Sequence, residues 1–263
     1  MEIRQPAVAG AFYPDDPGRL TRDLTAMLEA AECGVTDPLT IKALVVPHAG
    51  YVYSGPVAAS AYKLLPARRH QINRVVLLGP SHRVAFRGVA VPSAEQFRTP
   101  LGDIPLDGEA LQRILTLPGV VQRDDAHDRE HSLEVQLPFL QTVLADFRLV
   151  PLVVGDADPE LVTAVLEALW GDAETLILIS SDLSHYLPYE LAKQVDGQTS
   201  RLIEQRRPPL GGNEACGCRP LNALLRIAGQ KGLQVRTLDL RNSGDTAGSR
   251  DQVVGYGSYA FCQ

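Results

Sequence analysis

Long hydrophobic runs are missing from this chain. None approaches the ~20 consecutive apolar residues that span a bilayer, and the opening "MEIRQPAVAGAFYP" lacks the sustained apolar stretch of a secretion signal. Cysteine is scarce: Cys33, Cys216, Cys218 and Cys262 are four in 263 residues, too few and too scattered for a disulfide framework. A reducing cytoplasm is the expected compartment. Blocks of positive charge are absent as well. With 25 Lys+Arg against 31 Asp+Glu the formal net charge is −6, and no cationic stripe is there to neutralise phosphates. That argues against a nucleic-acid or anionic-membrane surface. No strand is followed by G-x-G-x-x-G and no P-loop lysine occurs, so a nucleotide cofactor is not expected. Repeats, low-complexity tracts and Pro/Ser/Gly-rich linkers are lacking too, and residues 1–263 read as one domain.

What is present is an ordinary globular balance, 45% hydrophobic and 21% charged, enough for a large core. Short β-branched runs alternate with helical patterns. Strands are expected over 42–48, 74–82, 88–93, 147–156, 174–182, 233–243 and 253–261. Helices are expected over 55–65 (with Pro56 in the first turn), 106–117, 132–144, 159–170, 189–205 and 219–232. Continuous Val/Ile/Leu runs belong to strands covered on both faces. The expected fold is an α/β/α sandwich around a mostly parallel sheet, with strand order left open.

Ligands in open α/β sheets bind beyond the carboxyl ends of the strands. Three apolar runs deliver a histidine there: His48 after "ALVVP", His82 after "VVLLGPS" and His185 after "LILISSDLS". Glycine and proline surround the first two, in "PHAGYVYSG" and "GPSHR", which suits tight turns and close backbone approach. Imidazoles on rigid strand ends suit a borderline cation such as Zn or Fe(II). Asp182 and His185 form a D-x-x-H pair; on a helical first turn they would share a face, so that the carboxylate could orient the imidazole or share acid/base work, the alternative being that Asp182 only caps the next helix. "REHSLEVQLPFL" carries His131 and Glu134, with Glu130 beside them, off the Leu133/Leu137/Leu140 stripe; a solvated helix face and a site are the two readings. "CGC" at Cys216 and Cys218 is too short a spacing for a zinc knuckle; a small buried residue or a reactive thiol are the two readings. "RNSGDTAG" (241–248) reads either as a turn or as a loop offering Asp245 as a carboxylate ligand.

The blocks "RQPAVAGAFYP", "PHAGYVYSGPVAA", "LLGPSH", "EHSLEVQLPFL", "SSDLSHY" and "VVGYGSYAF" run in order along nearly the whole chain, and the sequence resembles the Memo family. Prokaryotic members are often called the B protein of the AmmeMemoRadiSam set, after gene neighbours that include a radical-SAM protein. The family is similar in fold to class III extradiol dioxygenases, which use non-haem Fe(II). The resemblance implies His48 and His82 as metal ligands, His185 with Asp182 in the acid/base place, and His131 lining the pocket. Some relatives have a cysteine in the loop before the last strand. This chain has Asp245 instead, which would complete a 2-His-1-carboxylate triad. The implied cofactor is Fe(II), with Zn or Cu as alternatives. The implied activity is an oxidoreductase acting on a small, possibly aromatic, molecule, with a radical-SAM or other operon-encoded protein as partner. The alternative is a non-catalytic, metal-containing module that binds a peptide or protein.

Overall fold

The computed structural model describes residues 2–32 and 41–263; Cys33 lies outside them. In chain order the strands are β1 (Ile3–Arg4), β2 (Ile41–Val46), β3 (Arg74–Pro80), β4 (Val89–Val91), β5 (Gln96–Thr99), β6 (Gly102–Pro105), β7 (Val120–Gln122), β8 (Arg148–Val154), β9 (Thr175–Ser180), β10 (His185–Leu187), β11 (Gln234–Asn242) and β12 (Val253–Cys262). The helices are α1 (Pro17–Ala30), α2 (Tyr51–Tyr62), α3 (Gly108–Ile114), α4 (Asp125–Asp128), α5 (His131–Glu134), α6 (Leu137–Val143), α7 (Pro159–Leu169), α8 (Tyr189–Glu204) and α9 (Cys218–Lys231).

The main sheet runs β10-β12-β2-β9-β3-β8-β4-β7, with β11 also paired to β12; β1, β5 and β6 form a small second sheet. Its centre, β2-β9-β3-β8, is parallel throughout, while β12 on one side and β4 on the other join antiparallel. The fold is thus α/β, with a mixed, mostly parallel central sheet flanked by helices. Every residue of β2 and β9 is buried, as is all of β3 and β8 beyond the first residue. This is why those runs show no alternation in sequence: both faces meet apolar neighbours.

Register sets up the site. Val46 of β2 pairs with Ser180 of β9, and Leu78 of β3 pairs with Ile179 of β9. The three strands that deliver His48, Asp182 and His82 are therefore adjacent and end at nearly the same level. Gly79 has a specific part in this. A Cβ there would stand 2.7 Å from Ser132 Oγ and 2.9 Å from Leu133 Cδ2, so only glycine lets α5 lie this close to the end of β3.

Several boundaries differ from the sequence expectation. The helix expected at 55–65 starts at Tyr51, which places Pro56 inside it, and the one expected at 132–144 is two short helices, α5 and α6. Residues 182–184 are not helical, and His185 opens strand β10. The residues expected to start a helix at 106 follow the β5–β6 hairpin, and α3 begins at Gly108 after an Asp107 cap that accepts from Ala110 N–H.

Candidate metal centre

His48, His82 and His131 come together: one ring nitrogen from each lies within 4.8 Å of the others. Ring centroids are 5.1 Å apart for His48–His82, 5.5 Å for His48–His131 and 4.6 Å for His82–His131. The first two follow β2 and β3. His131 opens α5, carried in by the packing of that short helix on Gly79.

Two of the three rings are held by a hydrogen bond at Nδ1. His82 Nδ1 is 2.9 Å from Glu130 Oε1, and its backbone N–H donates to Glu130 Oε2 at 2.6 Å. A carboxylate only accepts, so Nδ1 carries the proton and Nε2 is left with its lone pair. His48 Nδ1 is 2.9 Å from Ser180 Oγ, its N–H donates to Asp182 Oδ1 at 2.7 Å, and its Nε2 is 3.3 Å from Cys216 Sγ. His131 stacks near Phe12, with centroids 4.8 Å apart. Its Nδ1 lies 3.4 Å from Glu130 Oε1 but is not aligned for a hydrogen bond, and this buried nitrogen has no hydrogen-bond partner among the described residues. A carboxylate behind an imidazole is the usual way a metal-binding histidine is oriented and made more basic.

Burial favours the neutral form of the His48 and His131 rings. Burial holds His48 well below the ordinary imidazole range, and the neighbouring His82 and His131 push the same way. Burial also lowers His131, against the opposing pull of Glu130. For Glu130 burial acts upward, but the hydrogen bonds from His82 and Ser132 N–H prevail and hold it down to about 2. Burial raises Asp182, opposed by the His48 N–H and by the nearby His185, His131 and His82. Cys216 is pushed up by burial and then by Asp182, so the thiol is protonated.

Among the residues expected from sequence, His48 and His82 meet, and His131, expected only to line the pocket, is the third member of the cluster. Asp245 is not in it. It is exposed, completes a capping box with Asn242, and accepts from Tyr189 Oη–H at 2.5 Å and from Asn242 N–H at 3.0 Å. The turn reading of that loop therefore describes it. Asp182 and His185 do not take the expected helical pairing. Asp182 accepts from His48 N–H, whereas His185 Nδ1 donates to Leu183 O at 2.8 Å, so that Nε2 is the nitrogen not engaged by that bond. The residue after it, Tyr186, has φ 57 and is 69% exposed, an uncommon conformation for a non-glycine residue.

Glu134, which lies off the apolar stripe of the sequence, is fully buried, so the solvated-face reading does not hold for it. It receives Arg4 Nη1, the N–H groups of Ala7 and Val8 at 2.8 and 2.9 Å, and Tyr13 Oη–H at 2.7 Å. Arg4 also donates to His127 O and Glu130 O, so the N-terminal segment clamps the helix that carries His131. Sequence reasoning named Glu130 without giving it a role, and left Cys216 between two readings. The only signal was "EHS" itself, a carboxylate next to a histidine. Beside the cluster, a cavity of about 290 Å³ opens between the ends of β3 and β8 and the start of α9, lined by Pro80, Phe86, Val154, Cys216, Cys218 and Arg219 among others. Cys216 links the two, one wall of the cavity and a contact of His48.

The family model for Memo-like proteins matches residues 4–260. The chain belongs to the Memo family. A MEMO1 family protein of Ignicoccus hospitalis is 37% identical over 285 residues, covering 99% of both chains. One of Aquifex aeolicus is 37% identical over 273 residues, covering 97% of this chain and 98% of its own. Among solved structures, an uncharacterized protein of Escherichia coli K12, JW3007, superposes with a TM-score of 0.52 at 14% identity, over 82% of this chain and 99% of its own. That likeness speaks to the fold alone. For this member of the family, a three-histidine cluster that could hold a metal stands at the carboxyl edge of the sheet. Among the described residues no helix is long and apolar enough to cross a membrane.

Proposed function

We propose that the three histidines hold a divalent transition metal, Fe(II) foremost with Zn or Cu as alternatives, and that the protein is a non-haem metal-dependent oxidoreductase acting on a small molecule. The observation that carries this reading is the convergence of His48, His82 and His131 with a buried nitrogen on His131 that has no hydrogen-bond partner among the described residues. Three imidazoles suit Fe, Zn and Cu better than Mg or Ca, which prefer oxygen donors. When bound, the metal supplies Lewis acidity, lowering the pKa of a coordinated hydroxyl.

The chain's own groups then have distinct tasks. Glu130 holds His82 and balances positive charge. His185, with Nδ1 committed to Leu183 O, offers Nε2 as a base within the electrostatic reach of Asp182. The adjoining cavity receives the body of the substrate. A 150 Å³ apolar cavity holds benzene, so about 290 Å³ admits a one-ring molecule with substituents.

The test is anaerobic Fe(II) reconstitution of the wild-type protein and of His48→Ala, with retained metal measured by mass spectrometry, then O₂ uptake on a panel of small aromatic diols. Wild type is expected to retain one metal per chain and to consume O₂, and His48→Ala to do neither. Retained metal without uptake on any diol would remove the oxidoreductase and leave the alternative, a metal-containing peptide- or protein-binding module. Exposed Val52, Tyr53 and Tyr186, on the segments following His48 and His185, are what such a module would offer a partner.

A further inference from the structure

We propose that Ser180 is a positioning residue that fixes the tautomer of His48, keeping the proton on Nδ1 and presenting Nε2 as a bare lone pair. Its consequence for metal binding rests on the three-histidine reading above, but its geometry does not.

The assignment starts from two backbone carbonyls, which can only accept. Ser180 Oγ lies 2.6 Å from Ser132 O, so the serine hydroxyl proton is committed there. Gln136 Nε2 lies 2.9 Å from Pro47 O, which fixes the amide orientation, since a flipped amide would set two oxygens against each other. That orientation leaves Gln136 Oε1 to accept from Tyr62 Oη–H at 2.8 Å and sends a second Nε2 proton to Ser180 Oγ at 2.8 Å. With its proton spent on Ser132 O, Ser180 can meet His48 Nδ1 at 2.9 Å only as an acceptor. The neutral ring therefore carries its proton on Nδ1. Nε2 faces Cys216 Sγ at 3.3 Å, and there the thiol is the donor.

Tyr62 and Ser180 are fully buried and Gln136 is 1% exposed. Polar groups this deep are costly unless each is satisfied, and this relay satisfies all of them. It also joins two arms of the cluster, because Pro47 precedes His48 and Ser132 follows His131. The arrangement differs from that of His82, whose Nδ1 is backed by a carboxylate. One imidazole is held by charge, the other by an oriented neutral hydroxyl.

The test uses the full-length, metal-free protein with ¹⁵N-labelled histidine. In wild type the His48 ring is expected to show a protonated Nδ1 and an unprotonated Nε2. In Ser180→Ala the Nε2-protonated form is expected to appear, and Zn(II) affinity to fall about 10- to 100-fold, the usual cost of losing an outer partner of a ligand. Ser180→Thr, which keeps the hydroxyl on a β-branched side chain suited to a strand, is expected to restore both. A wild-type ring protonated at Nε2 overturns the proposal without any variant having to fold. So does a Ser180→Ala protein with wild-type tautomer and affinity. If the tautomer is as stated and wild type binds no Zn(II), the proposal for Ser180 stands and the three-histidine reading falls.

Discussion

At the amino end of β2, Lys42 is buried with its Nζ on the carbonyls of Gly171, Asp172 and Thr175, over the ring of Trp170. Arg68, nearby, donates to Ile41 O and Ala173 O. At the carboxyl end of the same strand, His48 is equally buried, but its Nε2 meets only the Cys216 thiol, a weak donor. Together with His82 and His131 it forms a cluster of ring nitrogens that the fold engages only weakly on its inner side. The comparison separates two uses of buried polarity. At one end the donors are spent on carbonyls, which is how a fold closes its own edges. At the other, acceptors are left weakly engaged and converge, which is wasteful for stability alone and is the mark of a place for something else.

The contrast can be broken first by attacking the clamp behind the cluster. Glu134→Ala strands Arg4 and the N–H groups of Ala7 and Val8 in the core; a loss of about 3–5 kcal/mol is expected in denaturant unfolding, because it leaves a buried charge unpaired. An unchanged midpoint would mean that the N-terminal segment does not hold α5.

Acid should find the carboxyl end next. Glu130 sits at about 2 in the folded protein against an ordinary 4.5, so its contribution is complete above 4.5 and is lost as pH falls from there toward 2, about 3 kcal/mol in all. His127, buried beneath the same segment, titrates at about 4 instead of 6.5; folding excludes the proton that the unfolded chain takes up, so stability falls as pH drops from 6.5 to 4. The amino end shows the same sign in an alkaline window. Burial lowers Lys42 to about 8 from 10.5, so its penalty is present below 8 and is relieved as pH rises toward 10.5. Unfolding measured across pH should show the acid losses diminished in Glu130→Gln and the alkaline gain absent in Lys42→Met.

A smaller effect sharpens the metal reading. Glu130→Gln removes the charge behind His82 while keeping its shape, and a drop of about 10- to 100-fold in Zn(II) affinity is expected by calorimetric titration. Unaltered affinity would separate Glu130 from the centre. The smallest effect belongs to the loop before β12. Asp245→Asn should leave metal retention as in wild type and cost about 1 kcal/mol or less, since that side chain serves a cap at the surface. Loss of metal in that variant would return Asp245 to the ligand set.

Much of this was legible in the chain. Runs such as "KALVV", "RVVLLG" and "TLILIS" announce strands buried on both faces, and polar residues directly after them mark the open edge of the sheet. His131 and Glu134 were harder. Helical periodicity predicts which side of an isolated helix faces water, but α5 has only four residues and is enclosed on its flanks by β3 and by the N-terminal segment. A carboxylate can be buried there only because Arg4, 130 positions away, meets it. Asp245 misled for the converse reason: glycine, aspartate and a preceding strand serve a capped turn as well as they serve a ligand loop.

The order of residues by itself determined the α/β class, the three central strands and the placement of His48, His82 and Asp182 just past their ends, because hydrophobic runs and turn residues act locally. Only the tertiary structure decided that β9 lies between β2 and β3, that α5 settles against Gly79, and hence that His131, and not Asp245, completes the cluster. Those outcomes depend on contacts between residues far apart in the chain, where packing and the pairing of buried charges make the choice and no local pattern records it.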